Sequence, residues 1–200
     1  KLARRREATR SHRKESEIPV AAMVGYTNAG KTTLLNRLTG AGATVRNQLF
    51  TTLDPLARRL RLPAPPGATG QAGLDGETII LTDTVGFLHQ LPHHLIEAFK
   101  ATLEEARDAD LLLHVLDASH PRAADYAQAV REVLKEIGLT TMPVLTVLNK
   151  RDLVQDPRML EILEHEYAPA AAISAQTGEG LERFLGLLSE ELRSHPHLLA

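Results

Sequence analysis

The stretch GYTNAGKT, residues 25–32, carries the clearest chemistry in this sequence. It fits the pattern G-x-x-x-x-G-K-[ST], in which glycines let the backbone curl until its N–H groups point at an anion. The Lys31 ammonium can reach the outer phosphates of a nucleotide, and the Thr32 hydroxyl can coordinate Mg²⁺. The pattern therefore predicts a loop that binds a chain of phosphates.

The residues on either side of this loop support that prediction. An apolar run over residues 19–24 predicts a buried strand, and residues 33–38 suit a helix that Gly40 ends. A helix N-terminus next to the loop adds the positive end of its dipole. A glycine-rich turn that matches by chance is disfavoured because the strand and the helix are both in place.

A second motif, DTVG at residues 83–86, follows a strand predicted over residues 77–81. The Asp83 carboxylate could hold Mg²⁺ directly or through water. Gly86 lets the backbone approach a terminal phosphate, which its N–H could sense. Alone, the motif would be an ordinary turn, and it gains meaning only beside the phosphate-binding pattern.

A third motif, NKRD at residues 149–152, follows an apolar strand predicted over residues 143–148. Asn149 can donate to the N7/O6 edge of guanine, and the Asp152 carboxylate can accept two hydrogen bonds from its N1–H and N2–H₂ groups. Adenine offers no such pair of donors, so Asp152 would select guanine. The stem of Lys150 could cover a face of the ring.

The small residues Ser174 and Ala175 follow the last predicted strand, over residues 170–173. A small side chain there would let a backbone N–H approach a base. Thr51 and Thr52 lie in an irregular segment after the first helix. Thr52 in particular could close over the outer phosphate and add a Mg²⁺ ligand when a triphosphate is bound.

The composition sets bounds on these interpretations. With 200 residues, 43% of them hydrophobic, the chain suits one or at most two domains. It has no Cys, which excludes disulfides and thiolate metal sites, and few aromatic residues, which disfavours a base-stacking nucleic-acid module. No apolar run is long enough to predict a membrane span. We assign the nine histidines structural or solvated roles and predict no zinc site.

Charge is spread unevenly along the chain. The first fourteen residues carry net +6, so the remainder carries −8 of the total of −2. A basic segment on an acidic body suggests contact with a polyanion such as RNA, and a merely solvated helix remains the alternative. The start lacks both an apolar signal segment and an initiator Met, so we expect a piece of a longer cytoplasmic protein.

The predicted strands alternate with helices, which indicates a mostly parallel α/β sheet covered on both faces. Alternation over residues 56–62 predicts a half-buried strand, and the Pro- and Gly-rich residues 63–76 predict a hairpin connection. Further helices are predicted from Pro92 to Asp108 and over residues 123–137, 159–165 and about 181–188, with a strand over 111–116. Because strand ends meet at one edge, we expect the four motif loops to lie together.

At this point a family resemblance becomes specific. The stretches GYTNAGKTTLLN, FTTLDP, DTVGF, NKRD and ISAQTGEGL resemble translation-factor-related P-loop GTPases in order and spacing, and the first three resemble the HflX family. The resemblance covers about residues 18–188. It implies a three-layer P-loop GTPase fold with a six-stranded sheet, GTP hydrolysis and binding to the large ribosomal subunit, including ribosome splitting under stress. It divides the chain into the tail of an N-terminal domain (1–17), a GTPase domain (18–193) and a C-terminal tail (194–200).

The resemblance also assigns roles to residues. The phosphate-binding residues would be Gly25, Tyr26, Thr27, Asn28, Ala29, Gly30, Lys31, Thr32 and Thr33. The Mg²⁺ residues would be Thr32 and Thr52, with Asp83 behind them, and Gly86 would sense the terminal phosphate. The guanine residues would be Asn149, Lys150, Asp152, Ser174 and Ala175. Lys31, Thr52, Gly86 and Asn28 would form the catalytic set.

Two positions bear on the hydrolysis rate. Many relatives place Gln after D-x-x-G to orient the attacking water, but Phe87 stands there and cannot hydrogen-bond water. We therefore expect slow intrinsic hydrolysis and activation by a partner. Asn28 occupies a position at which several GTPases hold K⁺, and we hypothesise the same here. The hairpin connection is longer than is usual in the family, which puts nothing catalytic in doubt.

Two other interpretations stay open at this stage. A P-loop kinase or ATPase would leave the Asn149 and Asp152 pair unexplained. A module that binds GTP or GDP without hydrolysing it is also compatible with the sequence, because Phe87 cannot orient the attacking water. We expect a monomer, with switch segments over residues 47–55 and 83–92 because both have few apolar anchors.

Overall fold

The computed structural model describes residues 18–40, 56–63, 76–83 and 106–194. Several predictions therefore fall outside the described residues. They concern the basic segment, Thr51 and Thr52, the hairpin connection over 64–75, Gly86 and Phe87, most of the helix predicted from Pro92, and residues 195–200.

Six strands form one sheet at the centre of the described structure. Their bounds are β1 Val20–Val24, β2 Leu56–Arg61, β3 Thr78–Asp83, β4 Leu111–Asp117, β5 Val144–Asn149 and β6 Ala170–Ala172. The strand order is β2-β3-β1-β4-β5-β6. Among these strands β2 runs antiparallel to β3, and the other pairs are parallel. The predicted fold class, a mostly parallel six-stranded sheet, is confirmed.

Four helices connect or follow these strands within the described ranges. They are α1 Lys31–Thr39, α2 Ala123–Glu136, α3 Pro157–Glu166 and α4 Leu181–Ser194. Short 3₁₀ turns at Ala106–Asp108 and Arg151–Leu153 complete the described elements. None of the described helices combines the length and apolar character needed to cross a membrane.

Three helices have boundaries that differ from the sequence prediction. α1 begins at Lys31, two residues early, because the phosphate-binding loop runs directly into its first turn. α3 begins at Pro157 rather than residue 159, since the Asp156 side chain accepts a hydrogen bond from the Arg158 N–H and proline suits the first helical position. α4 continues through Ser194, which the sequence analysis placed in the C-terminal tail.

The core lies on both faces of the sheet, as expected for buried parallel strands. Alternate residues along β1 and β4 point to opposite faces, so Met23 and Leu113 pack with α1 and α4, whereas Ala22 and Leu112 pack with α2. Phe184 of α4 is fully buried in the first of these layers. Helices on two sides of one sheet give the predicted three layers.

Strand order determines where a ligand can bind. β1 lies between β3 and β4, so the connections after β1 and after β4 leave to opposite sides of the sheet. A crevice forms at such a reversal, at the carboxyl ends of the strands. The loop after β1 is the predicted phosphate-binding loop, and it therefore lies at the position where this topology favours ligand binding.

One core residue is unusual in its chemistry. His114, in β4, is paired in register with Val24 and Thr146, and 3% of its surface is exposed. Its Nε2 atom has no hydrogen-bond partner within the described ranges. Burial, with the positive charges of Arg131 and Lys31 adding to it, lowers the pKa of His114 to about 4. The imidazole is therefore neutral inside the folded protein at physiological pH.

This burial predicts an acid-sensitive stability. The unfolded chain takes up a proton on this residue near pH 6.5, whereas the folded protein does so only near pH 4, so stability falls as pH drops through that window. Between pH 7.5 and 5.0 the wild type should lose about 2 kcal/mol more of its unfolding free energy than His114→Leu does. Urea unfolding at the two pH values measures the difference.

His165→Gln provides the control, because it removes a histidine that is exposed on α3 instead of one buried in the sheet. Equal losses of stability in the wild type and in His114→Leu would contradict the assignment.

Candidate functional site

The loop over residues 25–32, named the phosphate loop below, is organised around the Lys31 side chain. Its Nζ donates to the backbone carbonyls of Gly25 at 3.0 Å and Tyr26 at 3.1 Å. These bonds fold the side chain back across the loop, where it is buried. Burial lowers the pKa of Lys31 to about 8, against the opposing attraction of the Asp83 carboxylate. A desolvated ammonium at the mouth of such a loop suits a strongly anionic ligand.

Two glycines make the phosphate loop possible. Gly25 has φ +152°, and a Cβ on it would lie 2.2 Å from the Val115 carbonyl oxygen. Gly30 has φ +98°, and a Cβ there would lie 2.2 Å from Nδ2 of Asn149. Both the conformation and the space therefore require glycine. The G-x-x-x-x-G spacing of the sequence follows from contacts with two different strands.

Thr32 and Asp83 come together as the candidate Mg²⁺ site. The Thr32 hydroxyl donates to Oδ2 of Asp83 at 2.6 Å, which joins the first turn of α1 to the end of β3. A hydroxyl that donates its proton keeps lone pairs for a cation, and Mg²⁺ prefers oxygen ligands of this kind. The two residues therefore fit the predicted metal role. Within the described ranges no cluster of three or more His, Asp or Glu side chains could hold a metal ion.

The Asn149 side chain connects the phosphate loop to the loop after β6. Its Nδ2 donates to the Ala29 carbonyl at 2.7 Å, and its Oδ1 accepts from the Ala175 N–H at 2.9 Å. Both hydrogen bonds are buried. The sequence analysis gave Asn149 only a contact with the base, and the structure adds that it ties the two loops together. One Nδ2 hydrogen remains for a ligand.

The loop after β6, residues 174–179, is named the base loop here. It is braced internally, because the Ser174 N–H donates to the Glu179 carbonyl and the Gly178 N–H donates to the Ser174 carbonyl. The buried Ser174 hydroxyl accepts from the Thr177 N–H at 3.0 Å. The Ala175 N–H donates to Oδ1 of Asn149. Ser174 and Ala175 therefore shape the loop in this structure.

Lys150 has a partner that the sequence analysis missed. Its Nζ lies 2.6 Å from Oδ2 of Asp117 at the end of β4, and the other carboxylate oxygen of Asp117 accepts from the N–H and hydroxyl of Ser119. Lys150 has φ +63°, an uncommon value for a residue with a side chain. The sequence did contain a signal for this partner, because Asp117 follows a continuous apolar strand. That strand, β4, ends at the same edge of the sheet as the strands that carry the motifs.

Asp152 is exposed at the same edge, and its carboxylate makes no hydrogen bond to any described residue. Its neighbour Arg151 is anchored, with an ion pair of 2.9 Å to Glu179 and a bond of 3.3 Å to the Ala172 carbonyl. The 3₁₀ turn is therefore fixed against the base loop while the Asp152 side chain faces solvent. This arrangement leaves both oxygens of Asp152 available to a ligand.

Aromatic packing supports the phosphate loop from the side of α2. The ring of Tyr26 stacks on the ring of Tyr126 with centroids 4.2 Å apart. The His120 ring also packs against Tyr126, with their centroids 4.7 Å apart. Burial raises the pKa of the Tyr26 phenol. From its motif Tyr26 is expected only to be part of the loop, because nothing in the spacing of the motif identifies a partner on a helix far along the chain.

Other predicted residues stand as follows. Asn28 is exposed with φ +63°, Thr27 and Thr33 are half-buried, and Ala29 is buried. Thr52 and Gly86 lie outside the described residues, so their roles stay predictions.

This geometry agrees with a known protein family. The profile described as the 50S ribosome-binding GTPase family matches residues 20–150. The chain belongs to this family.

Individual GTPase relatives support the assignment. The chain is 47% identical over 193 residues to the GTPase HflX of Lacrimispora saccharolytica, which covers 96% of the chain and 43% of the relative. It is 42% identical over 193 residues to the GTPase HflX of Escherichia coli K12, with the same coverage. The resemblance to the HflX family is confirmed, and the protein is a GTP-binding P-loop protein. The chain spans less than half the length of these relatives.

Solved GTPase structures share the fold. A GTP-binding protein of Sulfolobus solfataricus, in complex with GDP, is 29% identical with a TM-score of 0.64, and the match covers 100% of this chain and 59% of that one. A variant of Era from Aquifex aeolicus, bound to GDP and AlF₄⁻, is 26% identical with a TM-score of 0.62, and the match covers 88% and 57%.

The tight contact at Gly30 gives a testable prediction. Gly30→Ala should weaken GDP binding by more than about tenfold, because the added Cβ would displace Asn149 from the phosphate loop. Gly40→Ala is the matched control, since Gly40 also has positive φ but open space around it. Gly40→Ala should lose about 1–2 kcal/mol of stability through backbone strain, and Gly30→Ala should lose more because displacing Asn149 leaves buried backbone groups unpaired. Calorimetric titration with GDP compares them, and equal affinities in the two variants would contradict the contact.

Proposed function

We propose that this chain hydrolyses GTP to GDP and phosphate with Mg²⁺ and acts on the large ribosomal subunit. The observation that carries the proposal is the meeting of three parts at one edge of the sheet. These parts are the phosphate loop, the Thr32 and Asp83 pair, and the Asp152 carboxylate with the base loop behind it. Each part suits a different portion of a magnesium–guanine nucleotide complex.

The catalytic contribution of the chain is positioning and charge. The Lys31 ammonium and the N–H groups of the phosphate loop would hold the outer phosphates, and Thr32 and Asp83 would hold Mg²⁺. Bound there, the cation would neutralise charge that develops on the phosphate oxygens. Water would attack the terminal phosphate in line with the leaving oxygen. The proposed roles of Thr52 and Gly86 rest on the sequence alone.

Activation by a partner follows from Phe87. An aromatic hydrocarbon side chain after D-x-x-G cannot orient water, so the intrinsic rate should be slow. The family description names 50S ribosome binding, and the first fourteen residues carry net +6, which suits a polyanion such as ribosomal RNA. Such a partner also implies a cytoplasmic location. The alternative is a GTP- or GDP-binding module with negligible hydrolysis.

Guanine recognition gives a direct prediction. Asp152→Asn should weaken GDP binding by about a hundredfold, because the amide cannot accept from both donors of guanine. Xanthosine diphosphate, which carries a carbonyl in place of the guanine amino group, should bind the variant better than it binds the wild type. Since Asp152 is exposed, folding should be unaffected. Calorimetry with the two nucleotides provides the measurement, and unchanged GDP affinity would remove the proposed base recognition.

Turnover assays test hydrolysis and its partner. Phosphate release from GTP should be slow for the chain alone and should rise by about tenfold or more with large ribosomal subunits, if the subunit supplies what Phe87 lacks. Small subunits serve as the control polyanion. Equal slow rates with either subunit, or none, would favour the binding-module alternative. Because the chain is shorter than its relatives, the same assay on the full-length protein completes the comparison.

The same assay examines the K⁺ hypothesis. Asn28 is exposed in the phosphate loop with a backbone conformation that glycine adopts easily, so Asn28→Gly removes the side chain with little strain. We expect faster hydrolysis in K⁺ than in Na⁺ for the wild type and no such difference for the variant. Equal wild-type rates in the two salts would reject a role for K⁺.

A further inference from the structure

Arg37, in the last turn of α1, contacts the base loop at the far end of the chain. Its Nε donates to the Ala175 carbonyl at 3.1 Å, and its Nη2 donates to the neighbouring Gln176 carbonyl. Gly178 lies alongside, where an added Cβ would be 3.8 Å from the Cζ of Arg37. One guanidinium therefore binds two successive carbonyls of the base loop.

A basic residue in a last helical turn has a simpler explanation, since it interacts favourably with the helix dipole. That explanation requires no partner outside the helix. The Arg37 side chain instead binds a residue 138 positions later in the sequence. Two N–H groups of its planar guanidinium donate to two neighbouring carbonyls of the base loop. Lysine would satisfy the dipole equally well but could not present this fork.

Arg37 and Asn149 hold the same residue of the base loop. The Ala175 residue is held through its N–H by Asn149 and through its carbonyl by Arg37. Asn149 is bonded in turn to Ala29 of the phosphate loop, and α1 continues directly from that loop. The base loop is thus connected to the phosphate loop by two independent routes.

We propose that Arg37 is a positioning residue that holds the base loop at the distance from the phosphate loop that a guanine nucleotide requires. The inference rests on the proposed guanine-nucleotide function. Arg37 touches neither phosphate nor base in this assignment and acts through the backbone of Ala175 and Gln176. Its removal should therefore weaken binding of the base portion and leave binding of the phosphates intact.

Arg37→Met tests this, because methionine keeps a long helix-compatible side chain but has no donor. GDP dissociation, followed by stopped flow with a fluorescent GDP analogue, should accelerate about fivefold or more, because the two hydrogen bonds from Arg37 to the base loop are lost. Inorganic tripolyphosphate, which has no base, should compete equally well in the variant and the wild type. Arg37→Lys should recover part of the lost affinity through a single donor.

Arg107→Met is the matched control. The Arg107 guanidinium also donates to a backbone carbonyl, that of Ile137 at the end of α2, but it lies just before β4, at the opposite end of the strands. This variant should keep the wild-type GDP dissociation rate.

The outcomes separate the positioning role from the proposed function. Unchanged GDP dissociation in Arg37→Met, with normal binding by the wild type, would overturn the positioning role alone. Equal loss of GDP and tripolyphosphate binding would also overturn it, since Arg37 would then act on α1 and the phosphate loop. A wild type that binds no GDP would instead overturn the proposed function.

Discussion

The edge of the sheet that carries the phosphate loop and the base loop depends on the two buried hydrogen bonds of the Asn149 side chain. The Ala29 carbonyl and the Ala175 N–H belong to loops that follow the first and the last strand of the parallel sheet, and one amide satisfies both. Burial makes these bonds obligatory, because leaving either backbone group unpaired would cost about 1–3 kcal/mol. The same amide explains Gly30, since any side chain there would occupy its position. Asn149 is thus the buried link between the two loops, beside the link that Arg37 makes from α1.

Rigidity at this edge comes from the strands. β1, β3, β4 and β5 end within one layer and are buried over most of their length, so the groups that follow them inherit fixed positions. Ion pairs then lock the loops locally, Lys150 to Asp117 and Arg151 to Glu179. Asp152 is left facing solvent. The side chains that shape the site make hydrogen bonds or ion pairs within the protein, whereas Asp152, which is proposed to recognise the base, leaves its carboxylate open to a ligand. A preorganised binding site combines these two properties.

The sequence predicts the described sheet, its helices and the location of the motif loops because these depend on local periodicity and on the chirality of strand connections. It fails where a contact joins distant segments. Asp117, Tyr126 and Arg37 carry no motif, and their roles arise only when folding brings them to Lys150, Tyr26 and Ala175. Asn149 shows the intermediate case, since the motif identifies the residue but not its link between loops. The spacing of residues in a motif therefore predicts which residues of a loop are functional, whereas the packing of distant segments determines which groups each residue contacts.

The electrostatics of the phosphate loop explain why these links have to be firm. Burial of the Lys31 ammonium lowers its pKa to about 8, and the Asp83 carboxylate offsets this only in part. The Lys31 ammonium also donates hydrogen bonds to two backbone carbonyls of the phosphate loop itself. A diphosphate placed there would compensate the desolvated charge, but only if the loop holds its shape while the anion enters. The stack of Tyr26 on Tyr126 and the bond from Asn149 to Ala29 hold it from two sides. Contacts that would not reach the anion therefore hold in place the groups proposed to bind it.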